Sequence, residues 1–325
     1  MNVSCSDYRQ FWIHAETIAA IYIALSVTSL VVNICLLVTG FRLTKVRQSP
    51  KYWLVFAISL VFICQSTFVN NTLSTRWLLS ATVTHFLWKI CIIFNRYIAM
   101  GLICWGSFLI NIDFLLCIKS VRYTRDYRGK SVLLLMILIW TSITTAVFTI
   151  CFIRDSNETE DIVFPATEYH QALLTVTVFT PQILNILCCS LALVLRCSNK
   201  LQKFVTLNDD VSDPTDSGDC PYLPPLDHVT FALLLIIFYT PKAIVTFDPI
   251  WADECSEVRT FLIVSTLLRD NAGSVAPLVW FLFRDIRRSF LKCLIRRRGM
   301  STSSLLDSSE MNIYDNYPYC QRIQA

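Results

Sequence analysis

The sequence predicts an all-α membrane protein, a bundle of seven spanning helices followed by a short amphipathic helix on the membrane surface. Composition is the first ground. Of 325 residues 54% are hydrophobic and only 16% charged, with a mean hydropathy of +0.52, whereas soluble domains are about a quarter charged. The second ground is that the apolar residues gather in seven runs, at 17–41, 52–70, 84–118, 131–153, 171–196, 228–248 and 260–283. A helix of about 20 residues crosses the ~30 Å hydrocarbon core. The third is the alternation of Lys- and Arg-rich connections with poor ones, which also orients the bundle.

Residues 1–16 read as an extracellular N-terminus. They carry Asp7, Arg9, His14 and Glu16 and no short apolar core with a small-residue cleavage site, so they do not form a signal peptide. The run 17–41 is too long for a signal core and serves as its own insertion signal. None of the seven runs alternates as barrel strands do, and only closed hydrogen-bonded structures cross a bilayer, so each is helical. The spans and their connections make one domain, 17–283.

Arg42, Lys45, Arg47 and Lys51 crowd the first connection, and Lys119, Arg122, Arg125, Arg128 and Lys130 the third. Arg284, Arg287, Arg288, Lys292 and Arg296 to Arg298 follow the last span. The other side holds Arg9, Arg76, Arg154 and Arg259. Cations collect on the cytoplasmic side, which puts the N-terminus outside and the chain in the plasma membrane as a multi-pass protein. The net charge of +4 follows from this topology rather than from nucleic-acid binding. Three glycosylation sequons, at Asn2, Asn70 and Asn157, all fall on the outer side.

The connection 197–227 is rich in Asp, Pro and Ser and cannot bury enough apolar surface to order itself. In 284–298, Ile286, Phe290, Leu291, Leu294 and Ile295 form one apolar face, and the cations listed above form the rest. Such a helix lies in the interface and is drawn to anionic lipid. Cys293 on it is either palmitoylated or an unmodified thiol. Residues 299–325 read as a disordered cytoplasmic tail. No internal repeat appears, which argues against transporters built from repeated halves.

Half of the fourteen cysteines (Cys35, Cys64, Cys104, Cys117, Cys151, Cys188 and Cys189) sit inside apolar runs, where a thiol acts as a small hydrophobe. No CxxC or zinc-type spacing occurs. The histidines (His14, His85, His170 and His228) are scattered, and there is no nucleophile elbow or phosphate loop. No metal, cofactor or catalytic chemistry is expected.

Ionisable residues within a bilayer are costly and face the bundle interior. Lys89 and Arg96 in the third run, Lys242 in the sixth, and Arg269 with Asp270 in the seventh are of this kind. Two or three converging cations would suit an anionic ligand, since Arg binds carboxylate or phosphate bidentately. The competing reading is an internal pair of Asp270 with Arg269 or Arg96. Asp113 either caps the inner end of the third span, accepting from Arg122 or Arg125, or is a solvated interfacial carboxylate.

Several local residues resemble the rhodopsin-like G-protein-coupled receptors. Asn33 lies in span one, Trp140 in span four and Pro181 in span five. Span six holds Phe238-Tyr239-Thr240-Pro241, similar to that family's aromatic-x-Pro kink. Ala276-Pro277-Leu278-Val279-Trp280 and the following FLFRDIRRSFLKCL resemble its Asn-Pro-x-x-Tyr and eighth helix. Interior prolines each remove a backbone bond and bend the helix. The third span ends Ile112-Asp113-Phe114, which resembles the Asp-Arg-Tyr segment with Phe114 in place of the arginine. CIIFNRYIAM in span three and the Tyr-Thr-Pro of span six are most similar to receptors for small carboxylates and nucleotides, such as the succinate receptor. Arg96 lies about a turn from where those receptors carry their arginine.

The resemblance, which covers 17–298, implies a cell-surface receptor. It would bind an extracellular ligand, a small anion or lipid, and signal to a heterotrimeric G protein by helix rearrangement. Cys5 and Cys255 are the cysteines most clearly outside, and the resemblance implies a bridge between them. The chain also departs from the family. Ser59 or Leu60 stands where the second span has its acidic residue, Cys189 replaces a Tyr, and Ala276 and Trp280 replace the span-seven Asn and Tyr. With Phe114, these changes remove most of the polar relay used for switching. The alternative is therefore a non-coupling, receptor-like protein that acts as a ligand trap or partner-binding membrane protein.

Overall fold

The computed structural model describes residues 15–42, 50–70, 85–120, 123, 127–153, 167–197, 226–247 and 257–280. The described residues form seven helices. α1 is Ala15–Phe41. α2 is Pro50–Cys64, continued by a π-helical turn Gln65–Asn70. α3 runs as His85–Ile93, a π turn Phe94–Ile98, and Ala99–Lys119. α4 is Arg128–Ile153. α5 runs as Thr167–Leu174, a π turn Thr175–Phe179, and Thr180–Cys197. α6 is Leu226–Phe247 and α7 is Glu257–Trp280.

Five of these, α1, α3, α4, α5 and α6, are long and apolar enough to cross a membrane. α7 is a full 24 residues but carries Glu257, Arg259, Arg269 and Asp270. α2 is a 15-residue α-helix with its π extension. Burial sorts the helices by position. The spanning window of α3 is 72% buried and that of α4 only 11%, so α3 is the central post and α4 lies at the periphery. α3 packs on α2, α4, α5 and α6; α7 packs on α6 and α1; and α1 packs on α2. On α4 the exposed Leu133, Leu134, Ile137 and Leu138 form a surface suited to lipid.

Hydroxyls in the helices are satisfied locally. Ser59, Ser66, Thr67, Thr141, Thr175 and Thr177 each donate to the carbonyl four residues back. An apolar solvent leaves such groups no other partner. Amides join the helices. Asn33 Nδ2 donates to the Gly273 carbonyl of α7 at 2.9 Å and to the Ser29 carbonyl at 2.8 Å. The hydroxyls of Ser66 of α2 and Ser29 lie 2.8 Å apart, and Ser274 of α7 donates to the Leu25 carbonyl. This α1–α2–α7 seam exists because Gly273 lets the backbones meet: a Cβ there would lie 2.5 Å from Ser29 Oγ. On the other side of α3, Asn111 donates to Asn185 at 2.7 Å, and Asn185 Nδ2 reaches the Cys104 carbonyl at 3.4 Å.

Pro241 bends α6 and removes one backbone bond. Beside that bend Thr240 donates to Gln182 Oε1, and Gln182 Nε2 donates to the Leu235 carbonyl. The inner parts of α6 and α7 meet through Phe231 and Trp280, ring centroids 4.2 Å apart and both side chains buried.

Candidate ligand-binding site

Three of the four cations named from sequence stand on three helices within electrostatic reach of one another. Arg96 sits in the π turn of α3, Lys242 follows Pro241 in α6, and Arg269 lies midway along α7. Lys242 is within electrostatic reach of Arg96, Arg269 and Asp270. The group thus holds three cations and one carboxylate. Asp270 is committed to its neighbour: Arg269 Nε donates to Asp270 Oδ1 at 2.8 Å, with side chains 6% and 0% exposed. Tyr22 of α1 lies against the same pair. The internal-pair reading therefore holds for Arg269 and Asp270. Arg96 does not join it; its Nη2 lies 3.4 Å from His170 Nε2 of α5.

Asp270 is thus taken by Arg269, and Lys242 makes no ion pair with a described residue. Among the described residues the ion pairs are Arg269–Asp270 and Arg128–Asp113. Arg96 is further held over the Tyr97 ring, 5.9 Å from its centroid. Behind the cluster, Gln65 of the α2 π turn donates to Asn95 of the α3 π turn at 2.6 Å. π turns in membrane helices re-aim side chains and gather at functional sites. Here one carries Arg96 itself.

Sequence reasoning missed His170. It is buried in α5 and contacts two other helices at once: Tyr97 Oη at 2.5 Å and Arg96 on α3, and the Thr246 carbonyl of α6. A histidine at the start of an apolar run gave no local signal, because its partners stand more than 70 residues away in the chain.

The C-terminal end of α3 carries a second cluster. Asp113 is buried and receives Arg128 through two nitrogens, Nη2 to Oδ2 at 2.8 Å and Nε to both oxygens at 3.2 Å. Tyr123 Oη also donates to it, at 3.0 Å. Partial burial, and then the Asp113 carboxylate, push the Tyr123 phenol above its ordinary pKa. Asp113 is therefore not the solvated carboxylate of the second sequence reading, and the arginine described on it is Arg128 at the start of α4, which can fork a carboxylate from a fixed helical turn. Arg122 and Arg125 lie outside the described residues. Phe114, next in the chain, turns to α6, where its ring meets His228 edge-on at 5.3 Å.

Tyr239 is fully buried in the bundle, as are Ala276 and Trp280 on α7. Pro277 is buried with them. Lys89 lies in α3 and Asn70 closes the α2 π turn, but their side chains are outside the described residues. So are Cys5, Cys255, Cys293, Asn2 and Asn157, and with them the outer bridge, two of the sequons and the lipidation site. No family model matches the chain. No curated protein matches it either.

Proposed function

We propose that the chain is a seven-span, rhodopsin-like receptor of the plasma membrane, with its N-terminus outside, that binds an extracellular anionic ligand and answers by rearranging its helices. The observation that carries this reading is that Lys242 of α6 lies within electrostatic reach of Arg96 of α3 and of the Arg269–Asp270 pair of α7. Gathering like charges in an apolar bundle is costly, and an anion entering between the helices relieves that cost. α2 and α7 are read as spans here because both pack on α1, itself long and apolar enough to cross a membrane. The protein is a receptor on this reading, not an enzyme, and its partners are the ligand, membrane lipid and a heterotrimeric G protein.

A second reading, a receptor-like protein that binds its ligand without coupling, is favoured by the inner end of α3. Phe114 has no donor for a G protein and instead packs on His228. One assay separates the two. Cells displaying the chain are exposed to a panel of carboxylates and phosphates while G-protein dissociation is followed. The coupling reading expects an evoked signal that Lys242→Gln and Arg96→Gln abolish. The non-coupling reading expects silence in the wild type and a response in Phe114→Arg. Strong basal signalling that Phe114→Arg leaves unchanged would show that Asp113-Phe114 is not this chain's coupling motif.

A further inference from the structure

The outer end of α6 is fastened to α5 in an uncommon way. The final carbonyls of a helix have no partner within it. Thr246 and Phe247 are the last residues of α6, and consecutive side chains of α5 take up both of their carbonyls. His170 Nε2 contacts the Thr246 carbonyl, and Gln171 Nε2 donates to the Phe247 carbonyl at 3.1 Å.

The chemistry of this contact assigns the proton on His170. A carbonyl oxygen only accepts, so Nε2 is the protonated nitrogen. Nδ1 is then an acceptor, and Tyr97 Oη, 2.5 Å away, is the donor that meets it. Arg96 Nη2, 3.4 Å from Nε2, cannot donate to a nitrogen that already carries a proton; it rests against the ring edge. The Tyr97 ring stands edge-on to the imidazole at 5.7 Å. One side chain thus links Tyr97 of the α3 π turn to α6, with Arg96 of the same turn resting against its ring.

The same link reaches Lys242. Thr246 Oγ1 donates to the Lys242 carbonyl at 2.8 Å, so the helical turn between Thr246 and Lys242 is held as a unit. His170 therefore lies at the one point where the turn bearing Lys242 and the turn bearing Arg96 are tied together.

We propose that His170 is the positioning residue of the anion site: by capping α6 with one ring nitrogen and accepting from Tyr97 with the other, it sets the separation of Arg96 and Lys242. This inference rests on the anion-site reading above. His170 does not touch the anion itself. It keeps two like charges close enough to share one anion, a geometry that their mutual repulsion would otherwise open.

Two measurements on the full chain in nanodiscs test it. The chain has four histidines, so nitrogen-15 histidine spectra are simple, and the signals lost in His170→Gln belong to His170. The expected ring is neutral, protonated at Nε2, with an Nδ1 resonance that moves in Tyr97→Phe. An Nδ1-protonated ring, or no response to Tyr97→Phe, would overturn the clasp whatever binds nearby. The second measurement labels Lys242 with pyridoxal phosphate, reduces the imine with borohydride and reads the yield by mass spectrometry. Inorganic phosphate, at matched ionic strength with chloride, should protect Lys242 several-fold in the wild type. His170→Leu should lose that protection. His170→Gln should keep most of it, because an amide can donate to Thr246 and accept from Tyr97. Absence of protection in the wild type sinks the anion site and this role with it. Protection in the wild type and equally in His170→Leu overturns the positioning role alone. So does a folded His170→Gln that fails to protect.

Discussion

Gly273 determines how closely α7 approaches α1. Its carbonyl takes Asn33, and the space beside it is filled by Ser29 Oγ and the Phe62 ring. A methyl group there would press on both, so Gly273→Ala should destabilise the bundle by about 1–3 kcal/mol, the usual range for overpacking. Ser29→Ala removes the nearest atom, and the double variant should recover part of the loss. Unfolding midpoints of the purified variants check this, and an unperturbed Gly273→Ala would mean the helices are farther apart. At this scale the sequence was informative where charge met apolar surroundings. Arg269 and Asp270 stand out as adjacent opposite charges in an apolar run, and they do pair. Asp113 stands out similarly, with Arg122 or Arg125 as the expected partner, whereas the arginine described on it is Arg128, on the first turn of α4. His170 was not legible at all, since nothing beside it in the chain announces Tyr97 or Thr246.

At the scale of elements, the hydropathy runs locate the helices to within a few residues: α6 is Leu226–Phe247 against an expected 228–248, and α5 begins at Thr167 against 171. Hydropathy works here because lipid demands an apolar exterior along the whole span. It says nothing of the π turns in α2, α3 and α5, since one extra residue per turn alters no composition. Yet the α3 turn directs Arg96 into the cluster and joins α2 through Gln65 and Asn95. Nor does hydropathy show which polar residues meet between helices. Asn111 and Asn185 form such a pair between α3 and α5. A double-mutant cycle with Asn111→Leu and Asn185→Leu should give a coupling of about 0.6 kcal/mol and at most about 1.7, as interhelical hydrogen bonds in membranes do. Additive losses would place the two amides out of contact.

At the scale of the whole molecule, burial sorts the helices and charge asymmetry proposes an orientation. α3 is the buried post, α4 faces outward, and α1 and α7 close the bundle around it. The basic connections that sequence assigns to the cytoplasm include Arg128, whose clasp on Asp113 lies at the inner end of α3 on that orientation. On that orientation the cation cluster lies toward the extracellular side. Epitope tags at the two termini test the orientation: the N-terminal tag should stain intact cells and the C-terminal tag only permeabilised ones. Staining of the C-terminal tag on intact cells would invert the bundle and move the cation cluster to the cytoplasmic side.

The account depends most on the claim that this cluster binds an anion. Thermal unfolding of the full chain in nanodiscs, with phosphate or a short dicarboxylate at matched ionic strength, measures that without any coupling partner. A ligand present at about 100 times its Kd stabilises the folded state by about 2.7 kcal/mol, a readily measured rise in Tm. The account predicts such a rise for at least one of these anions in the wild type, and its loss in both Lys242→Gln and Arg96→Gln. A rise of equal size in Lys242→Gln, or none with either anion, would contradict it.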